Sequence, residues 1–121
     1  MAQLQLIVVD DNDTNRLLPG LFLRPLGHEV HEFASASQAL DWLATHPCDI
    51  VLLDISMPQF SGLQLCQQLR KQAQFNDLKI IAYTAHAMPD ELKLLETAGF
   101  DKILLKPIRS HELLEIVKTT D

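Results

Sequence analysis

Ile50-Val51-Leu52-Leu53-Asp54 sets an apolar run directly before a carboxylate, and the construction recurs along the chain. Leu6-Ile7-Val8-Val9 leads into Asp10-Asp11, Ile80-Ile81-Ala82-Tyr83 into Thr84, and Ile103-Leu104-Leu105 into Lys106. Runs this short and this rich in Val and Ile, alternating with helical periodicity, read as strands buried on both faces of a parallel sheet. Parallel α/β sheets place their ligand crevice beyond the carboxyl ends of the strands. Three carboxylates, a hydroxyl and an ammonium are therefore expected to meet at one edge of one sheet.

Outward from these runs, strands near 4–9, 29–33, 49–53, 79–83 and 102–105 alternate with five helical patterns, a series of right-handed βαβ units. The second helix carries Ala36, Ala39, Leu40 and Leu43 on one face behind Ser35 as N-cap. The third carries Leu65, Cys66 and Leu69, with Ser61 and Gln64 spaced as a capping box. The fourth opens on Pro89 with Asp90 and Glu91 in its first turn and closes at Gly99, where glycine can take the left-handed cap. The fifth shows Leu113, Ile116 and Val117 as a core stripe after Ser110. The first, from Asn15 to Leu26, contains Pro19-Gly20 and Pro25, and an interior proline costs about 3 kcal/mol. It is expected to be kinked or shortened.

A chain of 121 residues that is 47% hydrophobic and 21% charged suits a single globular domain spanning 1–121. Its net charge of −6 and pI near 5.2 argue against a general nucleic-acid surface and favour a cation or a basic partner. Cys48 and Cys66 stand apart from each other and from any Cys/His cluster, so they read as small buried hydrophobes in a reducing compartment. The N-terminus lacks a basic region followed by an apolar stretch, and no run approaches the ~18 residues of a membrane span. These features read as a soluble, cytoplasmic chain without membrane or nucleic-acid contact.

Two adjacent carboxylates at one strand end and a third at the next repel one another unless a cation intervenes. Mg²⁺ suits that place, since it takes a few oxygen ligands and completes its shell with water and phosphate oxygens. Lysine is a point charge fit for phosphate, and Thr84 can donate to a phosphoryl oxygen. The constellation fits phosphoryl transfer to a carboxylate. Asp13 reads instead as a solvated first-turn acid, and Trp42 as a core or half-buried residue of the second helix. His28, His31, His46, His86 and His111 are scattered and read as surface or turn residues, although His86 lies two residues past Thr84.

In order, the chain contains V-V-D-D-N-D-T-N-R from Val8 to Arg16, L-L-D-I-S-M-P from Leu52 to Pro58 followed by Gly62, Y-T-A-H-A-M from Tyr83 to Met88, A-G-F-D from Ala98 to Asp101, and L-K-P-I from Leu105 to Ile108. Over essentially its full length it resembles a response-regulator receiver domain of two-component signalling, and its wording is most similar to receivers of hybrid histidine kinases. The resemblance implies a flavodoxin-like three-layer sandwich with a five-stranded parallel sheet in order 2-1-3-4-5 and five helices. It implies that Asp54 accepts phosphate, and that Asp10, Asp11, Asp54 and the Ser56 carbonyl hold Mg²⁺. Thr84 would follow the phosphoryl group, Lys106 would pair with it, and Lys106-Pro107 would be a cis peptide.

The implied partner is a histidine kinase or histidine phosphotransfer domain upstream of an output protein or attached domain. The implied activity is signalling rather than enzymatic, the domain assisting its own phosphorylation and slow dephosphorylation. Two positions depart from the family's habit: Ser61 precedes Gly62 where an acid is common, and Ile103 stands where an aromatic switch residue is usual. A scaffold of receiver fold that works without phosphate is the alternative. A flavodoxin-like redox protein is disfavoured, because the acidic loop after the first strand offers a flavin phosphate no donors.

Overall fold

In the computed structural model, which describes residues 3–55, 61–85 and 88–120, strands β1 (Gln5–Val9), β2 (Glu29–Phe33), β3 (Ile50–Asp54), β4 (Lys79–Thr84) and β5 (Lys102–Leu105) alternate with helices α1 (Asp13–Leu23), α2 (Ala36–Leu43), α3 (Gly62–Arg70), α4 (Pro89–Ala98) and α5 (Ser110–Thr120). The strands form one parallel sheet in order β2-β1-β3-β4-β5. This is the flavodoxin-like arrangement the motifs implied.

The central strands alternate their side chains between two cores, as the period-two geometry of a strand requires. Ile7, Val9, Val51, Leu53, Ile80 and Ala82 pack with α2, α3 and α4. Leu6, Val8, Ile50, Leu52, Ile81 and Tyr83 pack on the other face with α1 and α5. Each Leu or Ile buried in this way contributes roughly 1.5–3 kcal/mol. The sheet is thereby fixed in register, and with it the row of residues at its carboxyl edge.

Two strands reach one residue further than hydrophobicity indicated. Asp54 pairs with Tyr83, and Thr84 pairs with Leu105, so both polar residues lie within the ladder and not just past it. A pattern read from apolar residues stops where polarity begins; backbone pairing does not.

Helix α1 starts at Asp13, two residues before the expected Asn15. The Asn12 side chain accepts from the Asn15 N–H at 2.9 Å and caps it. The helix runs through Pro19, which is buried together with Gly20 and Leu23, and it is Pro25, in the 3₁₀ turn Arg24–Leu26, that accompanies its end. The expected caps of α2 and α3 are present, including the reciprocal Ser61–Gln64 box. At the end of α4, Gly99 has φ 109° and donates to the Leu95 and Glu96 carbonyls, a conformation an L side chain would strain.

The amino end of the sheet is locked by Arg70. Its guanidinium donates to the carbonyls of Gly99 at 2.9 Å, Phe75 at 3.1 Å and Leu78 at 2.8 Å, and pairs with Asp101 at 2.7 Å. Asp101 also accepts from the Ile80 N–H at 2.8 Å. His28 departs from its expected surface or turn environment: it is buried, with Nδ1 accepting from the Leu4 N–H at 3.1 Å. Trp42 is half-buried as expected, with its ring stacked on His46 at 4.3 Å between centroids.

Candidate functional site

At the carboxyl edge, β1 ends one residue before Asp10, whose N–H still donates to Phe33 at the end of β2. That bond carries the strand geometry into the turn and leaves the Asp10 side chain wholly buried. Its Oδ1 accepts from the Asn12 N–H at 2.9 Å. Arg16, one turn into α1, donates to the Asp10 carbonyl at 3.0 Å and to the Asp13 carboxylate at 2.5 Å, so the turn is tied from both sides. Asp13 is itself solvated, as read from sequence.

Asp54 is buried at the tip of the central strand, and Asp11 is exposed above it. Carboxylate oxygens of Asp10, Asp11 and Asp54 all lie within 4.8 Å of one another. Lys106 Nζ stands 3.3 Å from Asp10 Oδ2 and 3.4 Å from Asp54 Oδ1, with its side chain only 16% exposed. Its own N–H donates to the Thr84 carbonyl at 2.8 Å, fixing the lysine to the end of β4. The Lys106-Pro107 peptide is cis, as the resemblance implied.

Burial raises the Asp10 carboxyl above the usual carboxylate range, and the neighbouring Asp54 charge adds to the rise; the Asn12 N–H and Lys106 oppose it. Among the described residues Asp10 Oδ2 meets no hydrogen-bond partner of good geometry, and it pairs with Lys106 Nζ at 3.3 Å. A buried, under-satisfied carboxylate oxygen beside two further carboxylates is a donor set for a hard divalent cation, which binds oxygen and removes the repulsion in one step. The residues present fit such an ion.

Gly62, first residue of α3, is buried where any Cβ would collide with the Asp54 carbonyl. Only glycine lets α3 start this close to the strand tip.

The structure thus brings together Asp10, Asp11, Asp54 and Lys106, and sets Thr84, buried, on the strand beside Asp54. Ser56 and His86 lie outside the described residues. Asn12 and Arg16 were missed as site-shaping residues. An Asn directly before the first helical turn was a readable cap signal; the reach of Arg16 back to the Asp10 carbonyl was not.

A family model for the response regulator receiver domain matches residues 6–118. The chain belongs to that family. Similar receivers include part of the sensor histidine kinase GacS of Pseudomonas protegens, 34% identical over 116 residues that make up 93% of this chain and 13% of that protein. The chain thus spans about an eighth of the length of this kinase. The polar-differentiation response regulator DivK of Brucella ovis is 29% identical across 93% of this chain and 92% of its own length. Among solved structures, the chemotaxis protein CheY4 of Vibrio cholerae superposes with a TM-score of 0.91 over 99% of this chain and 100% of that one at 24% identity, which speaks to fold. The receiver domain of sensor histidine kinase PA1611 from Pseudomonas aeruginosa, with a magnesium ion coordinated in its active-site cleft, superposes at 0.87 over 98% of each chain with 28% identity. As a receiver, the chain is a module of two-component signalling.

Proposed function

We propose that this receiver takes a phosphoryl group onto Asp54 from a phosphohistidine of a histidine kinase or histidine phosphotransfer domain. The observation that carries this reading is the buried Asp54 carboxylate at the tip of the central strand, 3.4 Å from Lys106 and within 4.8 Å of the Asp10 and Asp11 oxygens. In the transfer an Asp54 oxygen forms the new P–O bond while the donor's P–N bond breaks, its electron pair staying on the imidazole. Asp10, Asp11, Asp54 and the Ser56 carbonyl would hold Mg²⁺, which when bound supplies positive charge between carboxylates and phosphoryl oxygens. Lys106 pairs with a phosphoryl oxygen, and the Thr84 hydroxyl donates to another.

The product remains on the protein, so the domain acts as a switch whose partner-binding surface changes with its charge, and not as an enzyme with a released product. Thr84 is the proposed sensor. Ile103, half-buried on the same sheet face as Ala82 and Thr84, is β-branched and offers no hydroxyl or ring to alternate between two positions. No helix among the described residues is long and apolar enough to cross a membrane. A cytoplasmic setting and action of residues 1–121 as one receiver unit belong to the same proposal. A scaffold that works without phosphate gives no reason to bury a carboxylate among like charges.

Acetyl phosphate with Mg²⁺ should add one hydroxylamine-labile phosphate to the wild type and none to Asp54→Asn, read by mass. One stoichiometric, hydroxylamine-labile phosphate on Asp54→Asn would overturn the assignment.

A further inference from the structure

Tyr83 is fully buried one residue before the end of β4, with Asp54 as its register partner on one side and Leu104 on the other. A phenol placed there must find a partner for its hydroxyl or leave a polar atom stranded. It accepts from the Ile108 N–H at 3.1 Å, reaching past β5 into the turn that follows Pro107. The Lys106 ammonium lies 5.1 Å from the centroid of the same ring, inside the range in which a cation is attracted to an aromatic face. One side chain therefore touches the residue before Pro107 with its ring and the residue after it with its oxygen.

Among the described residues the Lys106 ammonium also pairs with Asp10 Oδ2 and Asp54 Oδ1, the oxygens a divalent cation or a phosphoryl group would engage. Each such event draws electron density away from the lysine or changes the charge it faces. The ring does not compete for a hard cation, so it is the partner Lys106 keeps when the oxygens are taken. Burial raises the Tyr83 hydroxyl above its ordinary value, with the Asp10 and Asp54 charges adding to the rise against the Ile108 hydrogen bond, so the ring stays neutral beneath the ammonium.

We propose that Tyr83 is the positioning residue for Lys106, its ring holding the ammonium over the acid cluster and its hydroxyl pinning the turn that carries the lysine. The consequence for phosphoryl binding rests on the phosphoacceptor reading above; the placement of the lysine does not.

Three proteins test it: wild type, Tyr83→Phe, which keeps the ring, and Tyr83→Leu, which removes it. Proton NMR should show the Lys106 ε-methylene shifted upfield by the ring in wild type and Tyr83→Phe and unshifted in Tyr83→Leu. Tyr83→Phe should also speed hydrogen exchange at the Ile108 amide. With Mg²⁺ present, beryllofluoride should bind Tyr83→Phe within about two-fold of wild type and Tyr83→Leu roughly two- to thirty-fold more weakly, the range of a cation–π contact. A loss of affinity in a folded Tyr83→Leu that Tyr83→Phe escapes places the effect on the ring and not on the hydroxyl, which both variants lose. Equal affinity in a folded Tyr83→Leu overturns the proposal. So do unshifted Lys106 protons in wild type and Tyr83→Phe, a readout that stands if Tyr83→Leu fails to fold. A wild type that binds no beryllofluoride would sink the phosphoacceptor reading instead, leaving the proton shift to decide the role of Tyr83.

Discussion

Arg70 and Lys106 are both cations drawn largely out of water at opposite ends of one sheet, with side chains 20% and 16% exposed, and they are held in opposite ways. Arg70 meets three carbonyls and one carboxylate at 2.7–3.1 Å. Its charge is matched by one acid and its donors by neutral acceptors fixed in the backbone. Lys106 stands further from its partners, at 3.3 and 3.4 Å from two acids of a group of three, one of them with an under-satisfied oxygen. The amino end is built to stay as it is. The carboxyl end is left short of positive charge, and so is built to receive some.

Breaking the first arrangement should cost most. Arg70→Ala strands three carbonyls and an acid that also anchors the Ile80 N–H, and leaving buried acceptors unpaired costs about 1–3 kcal/mol each where water cannot reach. Urea unfolding should show a loss of roughly 2–4 kcal/mol, with phosphorylation by acetyl phosphate retained by the folded fraction. A loss below about 1 kcal/mol would remove the contrast between the two ends.

The second arrangement should show itself in pH dependence. The Asp10 carboxyl is raised in the native state, mainly by burial. Between its unfolded and native values the native protein therefore holds more protons than the unfolded chain, so this group makes the metal-free protein more stable as pH falls through that window and less stable as pH rises. Relative to Asp10→Asn, the metal-free wild type should gain stability as pH falls through that window, at a slope no steeper than about 1.4 kcal/mol per pH unit. A wild type that loses ground to Asp10→Asn on acidification would mean that Asp10 is well paired and the cluster is not short of charge.

How much of this was legible in sequence differs between the same two ends. Asp10, Asp11, Asp54, Thr84 and Lys106 announce themselves because each follows an apolar run, and a parallel sheet sends such residues to one edge. The buried His28, the reach of Tyr83 to Ile108 and the half of the Arg70 clamp made with Gly99 and Asp101 were not readable, since each depends on partners some 24 to 31 residues away that meet only once the chain packs. Helix α1 starts earlier than the pattern indicated for a local reason, the Asn12 cap; it is shortened as expected, but at Leu23 before Pro25, since Pro19 and Gly20 are buried within the helix. Hydrophobicity ended β3 and β4 one residue early because ladder pairing admits Asp54 and Thr84 that polarity excludes.

The smallest effect concerns the thiols. Burial pushes Cys48 up to about 12 and Cys66 up to about 11, so neither forms appreciable thiolate near pH 8. Iodoacetamide should label both slowly in the native protein and readily in urea. Rapid native labelling of Cys66, which sits between α3 and the end of α4 and donates to the Ala98 carbonyl, would show that the clamped end opens more easily than the Arg70 contacts imply.

The central claim is that the carboxyl edge is short of positive charge, and the stability of wild type and Asp11→Asn with and without Mg²⁺ tests it most directly. A ligand that binds the native state alone adds about 1.4 kcal/mol to unfolding at ten times its Kd. Mg²⁺ should stabilise the wild type by that amount, and Asp11→Asn, which removes one like charge, should unfold at higher temperature than the wild type in metal-free buffer and respond little to Mg²⁺. An Asp11→Asn protein less stable than the metal-free wild type, or a wild type indifferent to Mg²⁺, would contradict the account.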